Sequence, residues 1–385
     1  MTTPLSILDL SPFGQGQTPA AGLRASIALA RKAEQWGYAR YWLAEHHLNP
    51  GISGAAPHVL LAAIAQATSR IRVGTAATII GNYSPLQVAE AAGVVSALHP
   101  HRFDLGIGRS GATSSSQTPP APSSVPDRVV DGLVLPAPRP FRFDADRFVA
   151  QARLLGRTET DGDRFEQDVL DILAFIDGTL TVPEGVPLHA TPAEGEDIEV
   201  WLHGSTGGAS AQLAGRLGLP FGANYHVSPT FVLEAVHSYR EAFRPGRLAA
   251  PYVAVSVDVL VADTDAEAAR LASGYGHWVH SIRAGEGAIP YPTPEWALAH
   301  PLTDGEREVV RDRLDTQFVG SPGTVAERLE TLRRVTGADE LLVTTITHDP
   351  ADRERSYELL AGVWGLSGDA LSSDAAGTAS DESAS

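Results

Sequence analysis

The hydrophobic positions of the chain alternate between two periods. Short runs rich in β-branched and aliphatic residues are followed repeatedly by longer stretches whose apolar residues recur every three to four positions. Leu5 to Leu10 reads as a buried strand, and the helix predicted from Thr18 to Trp36 sets Leu23, Ile27, Ala30 and Ala33 on one face, with Gly37 as its stop. A strand from Tyr41 to Ala44 and a helix from Pro57 to Thr68 form the second unit. Ile71 to Ile80 is the third strand, followed by a helix from Pro85 to Leu98 that turns Val88, Ala92, Val95 and Leu98 inward. Arg102 to Ile107 is the fourth strand.

The rhythm breaks at Ser110 to Pro126, where six serines and four prolines leave little to pack. This segment is expected to be a mobile excursion. It leaves from the C-terminal end of a strand, where barrel enzymes carry functional loops, so a lid and a tolerated surface insertion are both open readings. Alternation resumes with a helix from Phe165 to Ile176, a strand from Ile198 to His203, a helix from Ala209 to Leu217 and a short strand from Pro220 to Asn224. A helix from Pro229 to Phe243, a long strand from Tyr252 to Ala262, an irregular stretch to about Phe318, a helix from Thr324 to Val335 and a strand from Glu340 to Thr345 complete the series. Eight strands, each feeding a helix, predict an α/β chain folded as one (β/α)8 TIM barrel over residues 1–366. Insertions are expected after the fourth strand (110–164, partly flexible) and after the seventh. Residues 367–385 carry four acidic groups and no basic ones, and are expected to be a disordered tail.

Composition narrows the function classes. The 385 residues are 43% hydrophobic and 19% charged, which suits a globular chain, and no apolar run approaches the roughly 18 to 20 residues that span a bilayer. A membrane role is not expected. The 29 basic against 46 acidic residues give a net charge of −17, which repels a nucleic-acid backbone. The absence of cysteine excludes disulfides, zinc-thiolate sites, iron–sulfur clusters and thiol nucleophiles. The first residues lack a signal-peptide layout, so a cytoplasmic location is expected.

In a barrel of this kind the chemistry sits where the strands end. The predicted first strand ends in Asp9, Ser11 and Pro12, the second in Glu45, His46 and His47, and the third in the small pair Ala76 and Ala77. The fourth ends in Gly108 and Arg109, the fifth in His203, Gly204, Ser205 and Thr206, and the sixth in Asn224, Tyr225 and His226. Gly204, Ser205, Thr206, Gly207 and Gly208 lead into a helix. Free backbone N–H groups at a helix N-terminus, with glycine allowing close approach, suit a phosphate, although a plain helix cap has the same composition. Arg109 adds a cation able to form a bidentate fork.

Gly106 to Gly111 matches G-x-G-x-x-G, but Ser and Thr follow where a dinucleotide fingerprint needs a helix. A hydrolase elbow fails too, because Ala112 stands where its last glycine belongs. Adjacent side chains at a strand end point to opposite sides, so His46 and His47 do not make a metal pair, and no metal is expected. A neutral imidazole there could act as a base near neutral pH or bond structurally to a neighbouring loop.

The stretches Gly37 to His47, Ser69 to Ile79, Ser84 to Arg109 and Phe318 to Leu332 together resemble the bacterial luciferase-like flavin monooxygenases. The likeness is densest over residues 4–109, returns from Ile198 to Asn224 and from Phe318 to Thr345, and is nearest to the single-chain branch found beside antibiotic biosynthesis genes. It implies a (β/α)8 barrel that takes reduced FMN from a separate NAD(P)H:FMN reductase and uses O2 to oxygenate a small organic substrate, possibly aromatic or polyketide-like, through a flavin hydroperoxide. By resemblance His46 takes the catalytic histidine position, Arg109 the phosphate arginine, and Gly204 to Gly208 the phosphate loop. Ala76 and Ala77 match the pair joined by a non-prolyl cis peptide beneath the flavin. Ser11, Glu45, Tyr83, Tyr225 and His226 are expected in the substrate pocket, and a homodimer through early helices is implied, with the Ala-rich face from Ala89 to Val95 able to pack closely.

Two local departures bear on the ligand. Tyr83 replaces a histidine usual in the family, and the segment from Arg109 to Ser114 lacks the usual Arg-Ala-Pro-Gly-Thr-Asp. A hydride-transferring enzyme that uses the deazaflavin F420 is the alternative function, since both cofactors carry a phosphate in the same place. A non-catalytic flavin-binding relative of the fold is the third reading.

Overall fold

The computed structural model describes residues 3–109, 125–139, 145–156, 164–182, 185–186 and 188–368. Eight parallel strands form its centre: β1 (Leu5–Asp9), β2 (Arg40–Leu43), β3 (Arg72–Thr75), β4 (Phe103–Gly108), β5 (Ile198–Gly204), β6 (Phe221–Asn224), β7 (Val253–Val261) and β8 (Glu340–Thr344). Each pairs with the next, and β1 pairs with β8 through Leu5 opposite Leu341, so the sheet closes on itself. The predicted (β/α)8 barrel is the observed architecture.

Strand alternation explains why the barrel holds together. Along β4, Phe103, Leu105 and Ile107 join the main apolar layer beneath the helices, and Val253, Val255, Val257 and Val259 do the same along β7. The intervening residues turn inward and fill the barrel in tiers. The lowest tier is charged. Asp104 accepts hydrogen bonds from Arg40 Nη1, Arg72 Nε and Trp42 Nε1, each at 2.8 Å, while Arg40 also faces Glu199 at 3.2 Å and Glu340 at 3.3 Å. Burial alone would raise the Asp104 pKa, but the two guanidiniums hold it below the usual carboxylate range. Above this plug, Trp42 and Trp201 meet edge to face at 4.9 Å. The barrel is therefore sealed at its N-terminal end and open only at the other.

Several expectations change. The third strand is not continuous from Ile71 to Ile80: it stops at Thr75 and resumes as the two-residue strand Thr78–Ile79 against β4. At that break the Ile79 N–H turns to the Glu45 carboxylate at 3.0 Å. The stretch read as irregular after β7 holds four helices, Asp265–Leu271, Tyr275–Arg283, Pro294–Ala299 and Asp304–Thr316, then a short strand Phe318–Gly320 that extends β7. A last helix, Pro350–Trp364, was also not predicted. Its inner face carries Arg353 and Ser356 as well as Tyr357, Leu360 and Ala361, so polar residues interrupt the apolar stripe.

The first insertion contributes an antiparallel hairpin, Arg128–Val130 with Leu133–Leu135, and the helix Ala145–Leu154. Most of the Ser/Pro segment, read as either a lid or a tolerated surface insertion, and nearly all of the expected acidic tail, lie outside the described residues. The Ala-rich face of helix Pro85–Leu98 is covered by the chain itself: Ala89 clusters with Ala190 and Ala193, and a Cβ on Gly93 would lie 2.5 Å from the Ala193 backbone. No described helix is long and apolar enough to cross a membrane.

Candidate functional site

A cavity of about 640 Å³ opens at the C-terminal mouth of the barrel. Of the predicted site residues, Glu45, His46, Ala76, Ala77, Arg109, Gly204, Ser205, Thr206, Gly208 and His226 line it. These come from five separate stretches of chain brought to one rim by the strand order.

After β2 the chain bends so that the His46 N–H bonds to Gly54 O at 3.0 Å, and the ring enters the cavity. Its Nδ1 is buried without a partner among the described residues. Burial, with His47 beside it, pushes the His46 pKa down to about 4, so the ring is neutral at neutral pH. His47 turns the other way, with Nε2 2.7 Å from Glu45 Oε1. Glu45 Oε1 also accepts from Asn82 Nδ2 at 2.7 Å, and Oε2 takes the Ile79 N–H. The Glu45 carboxylate thus braces the loop that carries Ala76 and Ala77, whose shared peptide is cis. A Cβ on Gly108 would come within 3.0 Å of the Ala77 Cβ, so glycine there lets this loop lie against β4.

His203 occupies a slot made by two glycines. A Cβ on Gly106 would fall 2.7 Å from its Nε2, and one on Gly222 2.2 Å from its Nδ1. Burial, then the neighbouring His226, lowers its pKa to about 4. His226 is lowered to about 4 in the same way, chiefly by burial. Three neutral imidazoles therefore share the cavity.

The opposite wall is the glycine-rich turn. Ser205 Oγ accepts from Asn224 Nδ2 at 2.9 Å, and the helix Ala209–Leu217 begins without a side-chain cap. Gly208, Ala209 and Ser210 at its start line the same cavity as Arg109, an arrangement suited to an anionic oxygen group.

Four predicted residues fall outside the lining. Gly207 is turned away, its N–H bonded to Glu234 Oε1 at 3.3 Å. Ser11 is fully buried beneath helix Pro19–Trp36, where its hydroxyl accepts from Ser26 at 2.9 Å. Tyr225 points outward and donates to Val134 O of the hairpin at 2.8 Å, because side chains alternate along the strand end. Tyr83 stands behind Glu45, and burial together with that carboxylate pushes its hydroxyl up to about 12.

Sequence reasoning missed a third wall. Asp258, on the inner face of β7, receives Arg313 Nη2 at 2.9 Å and the Tyr275 hydroxyl. Arg313, Trp278 and Ile282 descend from the helices inserted after β7, and all line the cavity. Three of the four inserted helices start with a threonine cap, at Thr264, Thr293 and Thr303, but nothing in the sequence placed them across the barrel mouth.

A planar cofactor with an anionic tail fits these residues: small side chains and the buried His46 line the same cavity as an uncapped helix start and Arg109. The profile of the luciferase-like monooxygenases matches residues 3–122 and 176–340. The uncharacterised protein YvbT of Bacillus subtilis (strain 168) is 36% identical over 94% of this chain and 97% of its own. A luciferase-like monooxygenase of Escherichia coli (strain K12) is 34% identical with the same coverage. The crystal structure of apo-MsnO8 superposes with a TM-score of 0.77 at 33% identity, covering 95% of this chain and 98% of that one. On the profile match and on relatives aligned over nearly its whole length, the chain belongs to the luciferase-like monooxygenase family.

Proposed function

We propose that the protein is the oxygenating component of a two-component system, taking reduced FMN from a separate NAD(P)H:FMN reductase and inserting one atom of O2 into a small organic substrate. The observation that carries this reading is the single cavity joining His46 and the Ala76–Ala77 loop to the uncapped start of helix Ala209–Leu217 and Arg109. Reduced FMN, when bound, supplies the two electrons that let one oxygen atom enter the substrate while the other leaves as water.

The chain's own residues have separable tasks. Ser205, Thr206, Gly208 and Arg109 bind the phosphate, by hydroxyls, backbone N–H groups and a guanidinium. Ala76 and Ala77 form a flat apolar floor for the ring system, held in place by Glu45. His46, neutral and with no partner at Nδ1 among the described residues, accepts or passes a proton beside the reacting atoms. The Trp42–Trp201 layer and the ion plug beneath it keep water from entering through the barrel, which protects reduced cofactor from unproductive oxidation. Val94 and Leu98, one turn apart on helix Pro85–Leu98, and Val59 on helix Pro57–Ala67 are exposed apolar residues that we assign to contact with a second copy of the chain.

An F420-dependent hydride transfer is disfavoured by charge. Among the described residues the arginines lining the cavity are Arg109 and Arg313, and Arg313 is already paired with Asp258, which leaves little to receive an acidic tail. Anaerobic titration with reduced FMN and with reduced F420, followed by rapid mixing with oxygen, tests the assignment. Tight binding of reduced FMN and oxygen-dependent reoxidation on the protein are expected. Binding of F420 alone would move the protein to hydride transfer, and binding of neither would overturn the oxygenase reading and reopen a non-catalytic one.

A further inference from the structure

The cavity wall formed by β6 and β7 contains a hydroxyl whose surroundings determine where the proton on His226 resides. Ser256 is 2% exposed and turned into the barrel. Its Oγ lies 2.6 Å from His226 Nδ1, 3.2 Å from Ala223 O and 3.4 Å from Asn224 Oδ1. The Asn224 amide nitrogen is engaged by Ser205, so its oxygen is the end that faces Ser256. A backbone carbonyl and an amide oxygen can only accept. These two oxygens compete with Nδ1 for the single Ser256 proton. Given to either oxygen, it leaves the Oγ lone pairs for His226, whose Nδ1 then carries the ring proton and whose Nε2 is bare.

The Nδ1 edge of the ring is held against the barrel wall while His226 lines the cavity, so Nε2 opens toward whatever fills it. The charged and titratable groups facing this ring are Asp258, Arg313, His46 and His203, and the first two neutralise each other as an ion pair. This wall therefore offers no net charge to an ammonium group. The adjoining arc from β8 and β1 and from the inserted helices presents Leu8, Leu10, Trp278, Ile282 and Ile346.

We propose that Ser256 holds His226 as the Nδ1–H tautomer and that the bare Nε2 receives the O–H of the substrate, a neutral, largely apolar molecule bearing a hydroxyl group. This deepens the oxygenase reading of the same cavity and rests on it for the word substrate. His226 is then a group that touches substrate, and Ser256 is a positioning residue. At neutral pH the imidazole accepts the hydrogen bond without removing the proton, since burial keeps its basicity low.

Nitrogen-15 NMR of the imidazoles in the full chain, with His226 assigned by difference from His226→Gln, reads the tautomer directly. A neutral ring protonated on Nδ1 in the wild type, and loss of that preference in Ser256→Ala, are expected. A ring protonated on Nε2, or an imidazolium, at pH 7 would overturn the proposal. Ligand class is read with 2-naphthol and its methyl ether, 2-methoxynaphthalene, titrated into FMN-loaded protein. The naphthol is expected to bind about tenfold more tightly than the ether, a difference lost in both His226→Gln and His226→Phe. Equal affinities, no naphthol binding, or a preference that survives both variants would overturn it. FMN affinity should be unchanged in these variants, and its loss would assign Nε2 to an N–H of the flavin instead. Should wild-type protein not bind FMN, the oxygenase reading fails by itself, while the tautomer and the naphthol preference in FMN-free protein still decide the subsite.

Discussion

Arg353, in the first turn of the last helix, and Asp9, the last residue of β1, meet at 2.9 Å between Nη1 and Oδ1 across 344 positions of sequence. Both side chains are buried, and Asp9 also accepts from the Tyr41 hydroxyl and the Ser11 N–H. The pair fastens the closing helix beneath the strand that ends at the cavity. Burial alone would lower the Arg353 pKa, but Asp9 beside it raises it, so the guanidinium stays charged.

Replacing Arg353 by Met should leave Asp9 charged, buried and short of its counter-ion, at a loss of about 3 to 5 kcal/mol. Adding Asp9→Asn to the same variant should return part of that loss, because the uncompensated charge is gone. Urea unfolding of the three proteins checks this, and a loss below about 1 kcal/mol in Arg353→Met would mean the pair contributes only like an exposed bridge.

The slot around His203 predicts an effect from a single methyl group. In Gly222→Ala the new Cβ would sit 2.2 Å from His203 Nδ1, so the ring must leave its slot or the strands must part. A destabilisation of about 1 to 3 kcal/mol is expected, and His203→Ala in the same chain should relieve most of it. Equal losses with and without the histidine would place the conflict elsewhere in β6.

The barrel was legible because its strands are apolar on the outward face and each is followed by a helix at the proper spacing, as at Leu5–Asp9 with Pro19–Trp36. The rim residues followed from strand ends alone, and His46, Arg109 and Ser205 reached one cavity as that rule requires. Tyr225 and Ser11 failed because a strand end fixes position along the barrel but not which side a chain faces once the strand becomes a turn. Asp104, Arg40 and Glu340 interrupt apolar runs, and only closure of the barrel turns those interruptions into one ion network. Arg313 could not be placed from sequence because its partner, Asp258, lies 55 positions away across an insertion.

Buried histidines make stability depend on pH. His46, His58, His203 and His226 are each lowered from 6.5 to about 4, chiefly by burial, so below pH 6.5 the unfolded chain binds protons that the folded chain does not. Their contribution is fully present above about pH 6.5 and is lost as the pH falls toward 4, at up to about 1.4 kcal/mol per pH unit for each. His58 lies outside the cavity lining, so His58→Gln should flatten the stability profile between pH 6 and 4.5 without touching the site. An identical slope in that variant would show that His58 is protonated in the folded protein.

Arg109 and the turn beside it should discriminate FMN from riboflavin, which lacks the phosphate. Arg109→Ala is expected to weaken FMN about 10- to 100-fold and leave riboflavin within about twofold, in keeping with loss of one charge-assisted contact. Fluorescence titration of both flavins against both proteins gives the comparison. A parallel loss of riboflavin affinity would mean that Arg109 shapes the cavity rather than recognising the phosphate.

His46 separates binding from chemistry. Its ring is inside the cavity and its neighbours carry the structural work: Glu45 braces the Ala76–Ala77 loop and His47 bonds to Glu45. Removing the imidazole should therefore leave the floor of the cavity intact. In His46→Asn, affinity for reduced FMN should stay within about threefold of the wild type, while reoxidation of the bound flavin after mixing with oxygen changes by a factor of about 100 to 10,000, the range for loss of a positioned proton-transfer group. Because burial keeps this histidine neutral down to about pH 4, the wild-type rate should show no inflection near 6.5 from its titration. An unchanged reoxidation rate in the variant would remove His46 from the chemistry, and a large loss of affinity would make it a binding residue instead.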